Sequence, residues 1–198
     1  KLKLVPFSTP FDKKAVEVLE NLNCCAYKIA SFEITDLKLI NEIAKTKKPI
    51  IMSTGMANIA EIKKALKIIN KFHNKVVLLY CVSGYPTPET ETNIKTINTF
   101  KKIFKKNLIG LSDHTDNIFS SMAAIPLGIV AIEKHFKISN KVNSHDSLFS
   151  LNKKKFIKLK KYSESIFNNL GTDKIRIKSS EKKSLILRRS IFAKKKIS

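Results

Sequence analysis

Ile109-Gly-Leu-Ser-Asp-His-Thr115 and Ile132-Glu-Lys-His-Phe136 are the stretches on which the reading of this chain turns. Each carries a short apolar run of β character to a histidine, and His114 and His135 stand 21 residues apart, one strand-helix-strand step. If successive strands lie parallel, residues at their C-terminal ends converge on one face, where α/β folds bind ligands. Two imidazoles brought together there are a natural metal site.

The same pattern extends outward from these two strands. Further β-rich segments are expected near Leu4 to Ser8, Ala26 to Ala30, Pro49 to Ser53 and Val76 to Val82, beside Leu108 to Leu111 and Val130 to Glu133. Helical patterns lie between them. In the clearest, Ile62, Ala65, Leu66, Ile69 and Phe72 recur at helical spacing behind Asn58 as cap and Glu61 three residues on. Asp12, Asp36, Asn93 and Asp116 are expected to cap four others, and Ser150 a last helix ended by Gly171. In that last helix Phe156, Leu159, Ile166, Phe167 and Leu170 form the expected buried stripe. The strands read as continuous apolar runs, as in a parallel sheet covered on both faces.

Polarity at the strand ends separates a barrel from an open sheet. Thr9, then Lys28 with Ser31 and Glu33, then Ser53 and Thr54, then Ser83 and Tyr85, then Ser112 with His114, then Lys134 with His135 all fall there. An open sheet gathers its ligand groups at one switch point, whereas a (β/α)8 TIM barrel draws them from nearly every strand. The barrel is favoured. Six strands do not close an eight-stranded ring, so the first two are expected to precede Lys1. Residues 1–171 are read as the partial barrel, with Lys137 to Leu148 as a polar loop carrying His145 and Asp146. From Thr172 the periodicity fades into a linker, and Arg188-Arg-Ser-Ile-Phe192 reads as a strand opening a further domain.

Composition bounds the remaining classes. A chain of 198 residues with 43% hydrophobic content suits one domain with a substantial core. No apolar run approaches membrane-spanning length and no signal-peptide pattern opens the chain, which is read as a soluble cytoplasmic protein. Cys24, Cys25 and Cys81 have neither metal-ligand spacing nor a disulfide framework, and are read as buried or idle thiols. The net charge of +22 favours anionic partners. Yet only Arg176, Arg188 and Arg189 are arginine, and base-edge readout favours bidentate arginine over lysine. Lys63, Lys64, Lys67 and Lys71 suit a solvated helix face, so nucleic-acid binding is disfavoured.

Six motifs, in order, carry a resemblance. Phe7-Ser-Thr-Pro-Phe-Asp12, Tyr27-Lys-Ile-Ala-Ser-Phe-Glu33, Pro49-Ile-Ile-Met-Ser-Thr-Gly-Met56, Cys81-Val-Ser-Gly-Tyr-Pro-Thr-Pro88, Gly110-Leu-Ser-Asp-His-Thr115 and Glu133-Lys-His-Phe136 resemble the sialic acid synthase family. Its members include the N-acetylneuraminate, legionaminic acid and pseudaminic acid synthases. The resemblance runs from Phe7 to Ser150. It implies a (β/α)8 barrel followed by a small antifreeze-like domain that reaches the partner's active site in a swapped homodimer. The opening strands, with an Asn-His-Asn-Gly-type motif, and the antifreeze-like domain, with its sugar-binding arginine, have no counterpart in this sequence.

The resemblance further implies condensation of phosphoenolpyruvate with an N-acylated amino-sugar aldehyde, N-acetylmannosamine or a 2,4-diacetamido-trideoxyhexose. The products would be a nine-carbon 2-keto acid and phosphate. It assigns Mn2+ or Mg2+ to His114 and His135, and phosphoenolpyruvate to Lys28, Ser31, Thr9 and Ser112. Ser83 stands where the family often has Asn. Glu33 and Asp146 match carboxylates that bind the sugar and assist proton transfer, and Tyr85 is a further substrate contact. The loop Asn143-Ser-His-Asp-Ser147 departs from the family's Gly-Pro-Asp pattern, which bears on the placement of Asp146. His145 is extra and is read as exposed. A basic, non-catalytic binding module and a barrel remnant without turnover stand as the alternatives.

Overall fold

Apolar runs without polar alternation need cover on both faces, and the chain supplies it by winding. In the computed structural model, which describes residues 4–140, 144–189 and 194–196, five such runs form one sheet. They are β1 (Tyr27–Ile29), β2 (Ile50–Ser53), β3 (Val76–Cys81), β4 (Leu108–Asp113) and β5 (Ile132–Lys134). Their spatial order is their sequence order, and every neighbouring pair is parallel. α1 (Lys13–Asn21) precedes the sheet, and α2 (Leu37–Lys45), α3 (Ile59–Ile69), α4 (Thr96–Ile103) and α5 (Phe119–Ala124) make the four crossovers. A sheet that never reverses its order is the winding of a barrel rather than of a doubly wound fold. The chain forms a curled half-barrel.

The core lies between this sheet and its helices. Ile29, Ile50, Met52 and Leu78 from the strands meet Ile40, Ile43, Ile62 and Ile69 from α2 and α3, all nearly excluded from solvent. Of the expected α3 stripe, Ile62, Ala65, Leu66 and Ile69 are buried and Phe72 packs at its margin, while Lys63, Lys64, Lys67 and Lys71 are exposed. Asn58 and Glu61 form the reciprocal capping box, and Asp12 and Asp36 cap α1 and α2.

Other expectations are corrected. Leu4 to Ser8 forms no strand and contributes one bridge, Ser8 to Tyr27, so the sheet has five strands and not six. Asn93 and Asp116 are not the caps: Lys95 and Ile118 hold the N-cap positions of α4 and α5, without a side-chain cap hydrogen bond. Asn152, not Ser150, caps α6 (Lys153–Leu170), since its Oδ1 accepts from Lys155 N. Gly171 does end that helix. Of the expected α6 stripe Leu159 is buried and Ile166 half-buried, whereas Phe156, Phe167 and Leu170 remain exposed. The helix packs mainly on α5, the turn at Ile125–Leu127 and two short strands, too little to cover a full stripe. β5 is half-buried throughout, as an edge strand should be.

The Lys137–Leu148 loop is partly structured. β6 (Phe136–Lys137) pairs with β7 (Leu151–Asn152), and a 3-10 turn covers His145–Leu148. Past Gly171 the described residues are exposed, with a 3-10 segment at Ser179–Leu187, and Arg188 and Arg189 lie in no strand. Ser190 to Phe192 of the expected strand, and Asn143 of the loop, lie outside the described residues. Among the described residues no helix is long and apolar enough to cross a membrane.

Gly110 marks the tightest approach in the sheet. A Cβ there would stand 2.6 Å from Leu79 Cδ2 and 2.8 Å from the Ala131 carbonyl oxygen, so backbone on the β5 side would have to move. Gly110→Ala is expected to destabilise by about 1–3 kcal/mol through overpacking. Equilibrium urea unfolding measures this, and a variant as stable as the parent would contradict the close approach.

Candidate active site

Along a strand successive side chains face opposite ways. On β4 and β5 Ser112 lies opposite Glu133 and Asp113 opposite Lys134, so Ser112, His114, Glu133 and His135 share a face. All four line one cavity of about 400 Å3 at the C-terminal ends of the strands, with Thr9, Lys28, Ser31, Ser53, Tyr85 and Asp146 around them. Of the residues expected at the site, Glu33 and Ser83 do not line it. Glu33 sits in the 3-10 turn after β1, its Oε2 buried without a hydrogen-bond partner. Ser83 is half-buried, its Oγ 3.9 Å from Cys81 Sγ.

Lys28 brings the cavity its buried positive charge, with 8% of the residue exposed. Its Nζ donates to Ser53 Oγ at 2.8 Å and lies 3.3 Å from Glu133 Oε2. Glu133 Oε1 in turn accepts from Ser112 Oγ at 2.7 Å. This chain of contacts ties β1 and β2 to β4 and β5 across the half-barrel. It also keeps the ammonium from standing as an uncompensated buried charge.

The two imidazoles stand side by side, ring centroids 5.3 Å apart. Tyr85 packs on His114 at 4.3 Å, Phe149 on His135 at 4.8 Å, and the two aromatics meet at 5.2 Å. His114 Nδ1 is 3.0 Å from the Val82 carbonyl oxygen. A carbonyl can only accept, so this contact favours the proton on Nδ1 and the lone pair on Nε2. His135 Nδ1 lies 3.5 Å from Asp146 Oδ2. An acceptor on Nδ1 is the usual support of a metal-binding imidazole, so both rings suit a divalent ion. Among the described residues no group of three or more His, Cys, Asp or Glu side chains is placed to hold a metal. The pair would form an open site, and His145 is exposed.

Sequence reasoning gave no site role to four neighbours. Glu133 and Ser53 were legible as strand-end residues, and Glu133 shares the face of His135 because it lies two residues before it. Phe149 and Cys81 gave no such signal. Cys81 is buried, its Sγ 3.7 Å from His114 Nδ1 and 3.6 Å from Ser31 Oγ. Burial pushes the thiol up, but hydrogen bonds from His114, Ser31 and Ser112 outweigh it and hold Cys81 below its ordinary value. Burial pulls His114 down, and its bonds to Cys81 and Val82 raise it above the usual imidazole value. His135 is held below that value by burial and by His114, against the pull of Asp146 and Glu133.

These opposed shifts order the titrations. As pH falls in chelator-treated protein, His114 is expected to take up its proton before His135, by a margin visible in imidazole NMR. Coincident titration, or the reverse order, would contradict the surroundings described for the two rings.

With the geometry in place, comparison with known proteins locates the chain. The sequence profile of the NeuB family matches residues 1–175. The chain is 40% identical to a pseudaminic acid synthase of Helicobacter pylori, over all of this chain and 58% of that protein. It is 39% identical to an N,N'-diacetyllegionaminic acid synthase of Campylobacter jejuni, over all of this chain and 60% of that protein. The crystal structure of an N-acetylneuraminic acid synthetase from Leptospira borgpetersenii superimposes with a TM-score of 0.83 at 32% identity, covering 91% of this chain and 63% of that one. The chain thus spans about 60% of the length of such curated relatives. A profile match over most of its length, together with the half-barrel they share, shows that the chain belongs to the NeuB family, the family of the sialic acid synthases.

Proposed function

We propose that this chain forms the substrate-binding part of a synthase that condenses phosphoenolpyruvate with an N-acylated amino-sugar aldehyde. The observation that carries this reading is the shared cavity, in which a buried lysine and two adjacent imidazoles face the same 400 Å3 space. Phosphoenolpyruvate, aldehyde and water would give a nine-carbon 2-keto acid and inorganic phosphate: carbon 3 of the enol bonds to the aldehyde carbon, whose oxygen takes up a proton, water adds at carbon 2, and the bond from carbon 2 to the phosphate oxygen breaks to leave the ketone and phosphate. The candidate sugars are N-acetylmannosamine and the 2,4-diacetamido-trideoxyhexoses.

Lys28 offers a compact cation to the phosphate or carboxylate of phosphoenolpyruvate, and the hydroxyls of Thr9, Ser31, Ser53 and Ser112 offer donors around it. Glu133 is the partner that such an anion would replace at Lys28. His114 and His135 would hold a divalent ion, Mn2+ or Mg2+, which would supply Lewis-acid polarisation of the aldehyde carbonyl. Asp146, beside His135, orients that ring and faces the sugar side of the cavity, and Tyr85 and Phe149 shield the imidazoles from bulk water.

The assay belongs to the protein as its gene encodes it. His114→Ala and His135→Ala are each expected to lower Mn2+-dependent turnover by more than tenfold, about 1.4 kcal/mol of transition-state stabilisation or more. Turnover within tenfold of the parent in both would remove the metal role.

Lys28→Ala is expected to raise the KM for phosphoenolpyruvate by more than tenfold while the KM for the sugar stays within about twofold, because the sugar offers no anion. Steady-state kinetics with each substrate varied in turn decides the matter. A raised sugar KM with an unchanged KM for phosphoenolpyruvate would reassign the residue.

A further inference from the structure

Asp113 and Lys134 are paired on β4 and β5 one residue before His114 and His135, and they face away from the cavity. Lys134 Nζ lies 2.9 Å from Asp113 Oδ1, with both side chains 1% exposed. Asp113 Oδ1 also accepts from Thr115 N at 2.9 Å and Thr115 Oγ1 at 2.8 Å, and its Oδ2 accepts from Ser121 Oγ at 2.6 Å. Lys134 Nζ donates further to the Thr115 carbonyl and hydroxyl. The group is fully bonded and dry.

Such a pair adds little stability over an apolar pair of equal volume, because desolvating two charges offsets their attraction. What it does enforce is alignment. A slip of β5 by one residue would set Asp113 against Glu133 or His135 and leave Lys134 buried without its carboxylate. The same slip would turn His135 off the cavity face, since strand side chains alternate.

We infer that the Asp113–Lys134 pair is a positioning device that holds His114 and His135 side by side, and so sets the spacing available to an ion between them. The inference rests on the proposed metal role of the two imidazoles, and its test separates the two. Three variants of the full protein are compared: Asp113→Asn, Lys134→Met, and both together. The readouts are Mn2+ affinity by electron paramagnetic resonance, phosphoenolpyruvate affinity by calorimetry, thermal stability, and the ring-to-ring nuclear Overhauser effect between His114 and His135 in chelator-treated protein.

Each single variant is expected to weaken Mn2+ binding at least tenfold and to lose the inter-ring signal, with phosphoenolpyruvate affinity within twofold of the parent. The double variant, with no charge left buried, is expected to regain stability without regaining either. It keeps the question answerable if a single variant does not fold. Ile69→Val, a core change on the far side of the sheet, is expected to lower stability and leave Mn2+ affinity unchanged. A double variant with parental inter-ring signal and Mn2+ affinity would overturn the inference. If the signal is lost while His114→Ala binds Mn2+ as tightly as the parent, the metal reading falls and the positioning role stands.

Discussion

Because β4 and β5 pair in parallel with Asp113 opposite Lys134, the residues on either side of that pair must point together to the other face. Ser112 then meets Glu133, and His114 comes beside His135. Three successive cross-strand pairs thus alternate between a hydrogen bond, a dry ion pair and an imidazole pair. Everything proposed for the cavity depends on that register. A displacement of one residue would exchange the two faces and bury charges that have no partner.

The remaining strands complete the site by the same geometry. Parallel strands joined by helices deliver all their C-terminal ends to one rim, so Lys28 from β1 and Ser53 from β2 reach the side chains of β4 and β5. The curl of the sheet closes the distance. Lys28 and Glu133 lie on the first and last of the five strands, yet stand 3.3 Å apart. The large lysine excess elsewhere has a different physical character. The lysines of α3 are solvated and none of them lines the cavity, so the net charge of +22 says little about the site.

The sheet's last strand and α6 show what a half-barrel leaves open. β5 is half-buried along its length, and a groove of about 310 Å3 between it and α6 is lined by Ile129, Ile132, Phe156 and Phe167. An apolar helix face buries only as far as there is structure to receive it. That limit accounts for the exposure of Phe156, Phe167 and Leu170, residues whose spacing had marked them for the core.

Local physics was legible in the amino-acid sequence alone. The apolar runs of β2, β3 and β4, the capping box of Asn58 and Glu61, the caps Asp12 and Asp36, and the convergence of His114 and His135 follow from period, backbone preference and strand parity, which act over a few residues. Six ordered motifs pointed to the family for the same reason, since each is contiguous. Ser150 was expected to cap the last helix and Asn152 does so, because the start of that helix depends on where β7 pairs. Tertiary structure alone decided that Glu33 and Ser83 do not line the cavity, that Cys81 lies against His114, and that Phe149 packs on His135. It also decided that Glu133 neutralises Lys28. These are contacts between segments far apart in the chain, fixed by the curl and register of the sheet, and no local pattern of residues carries that information.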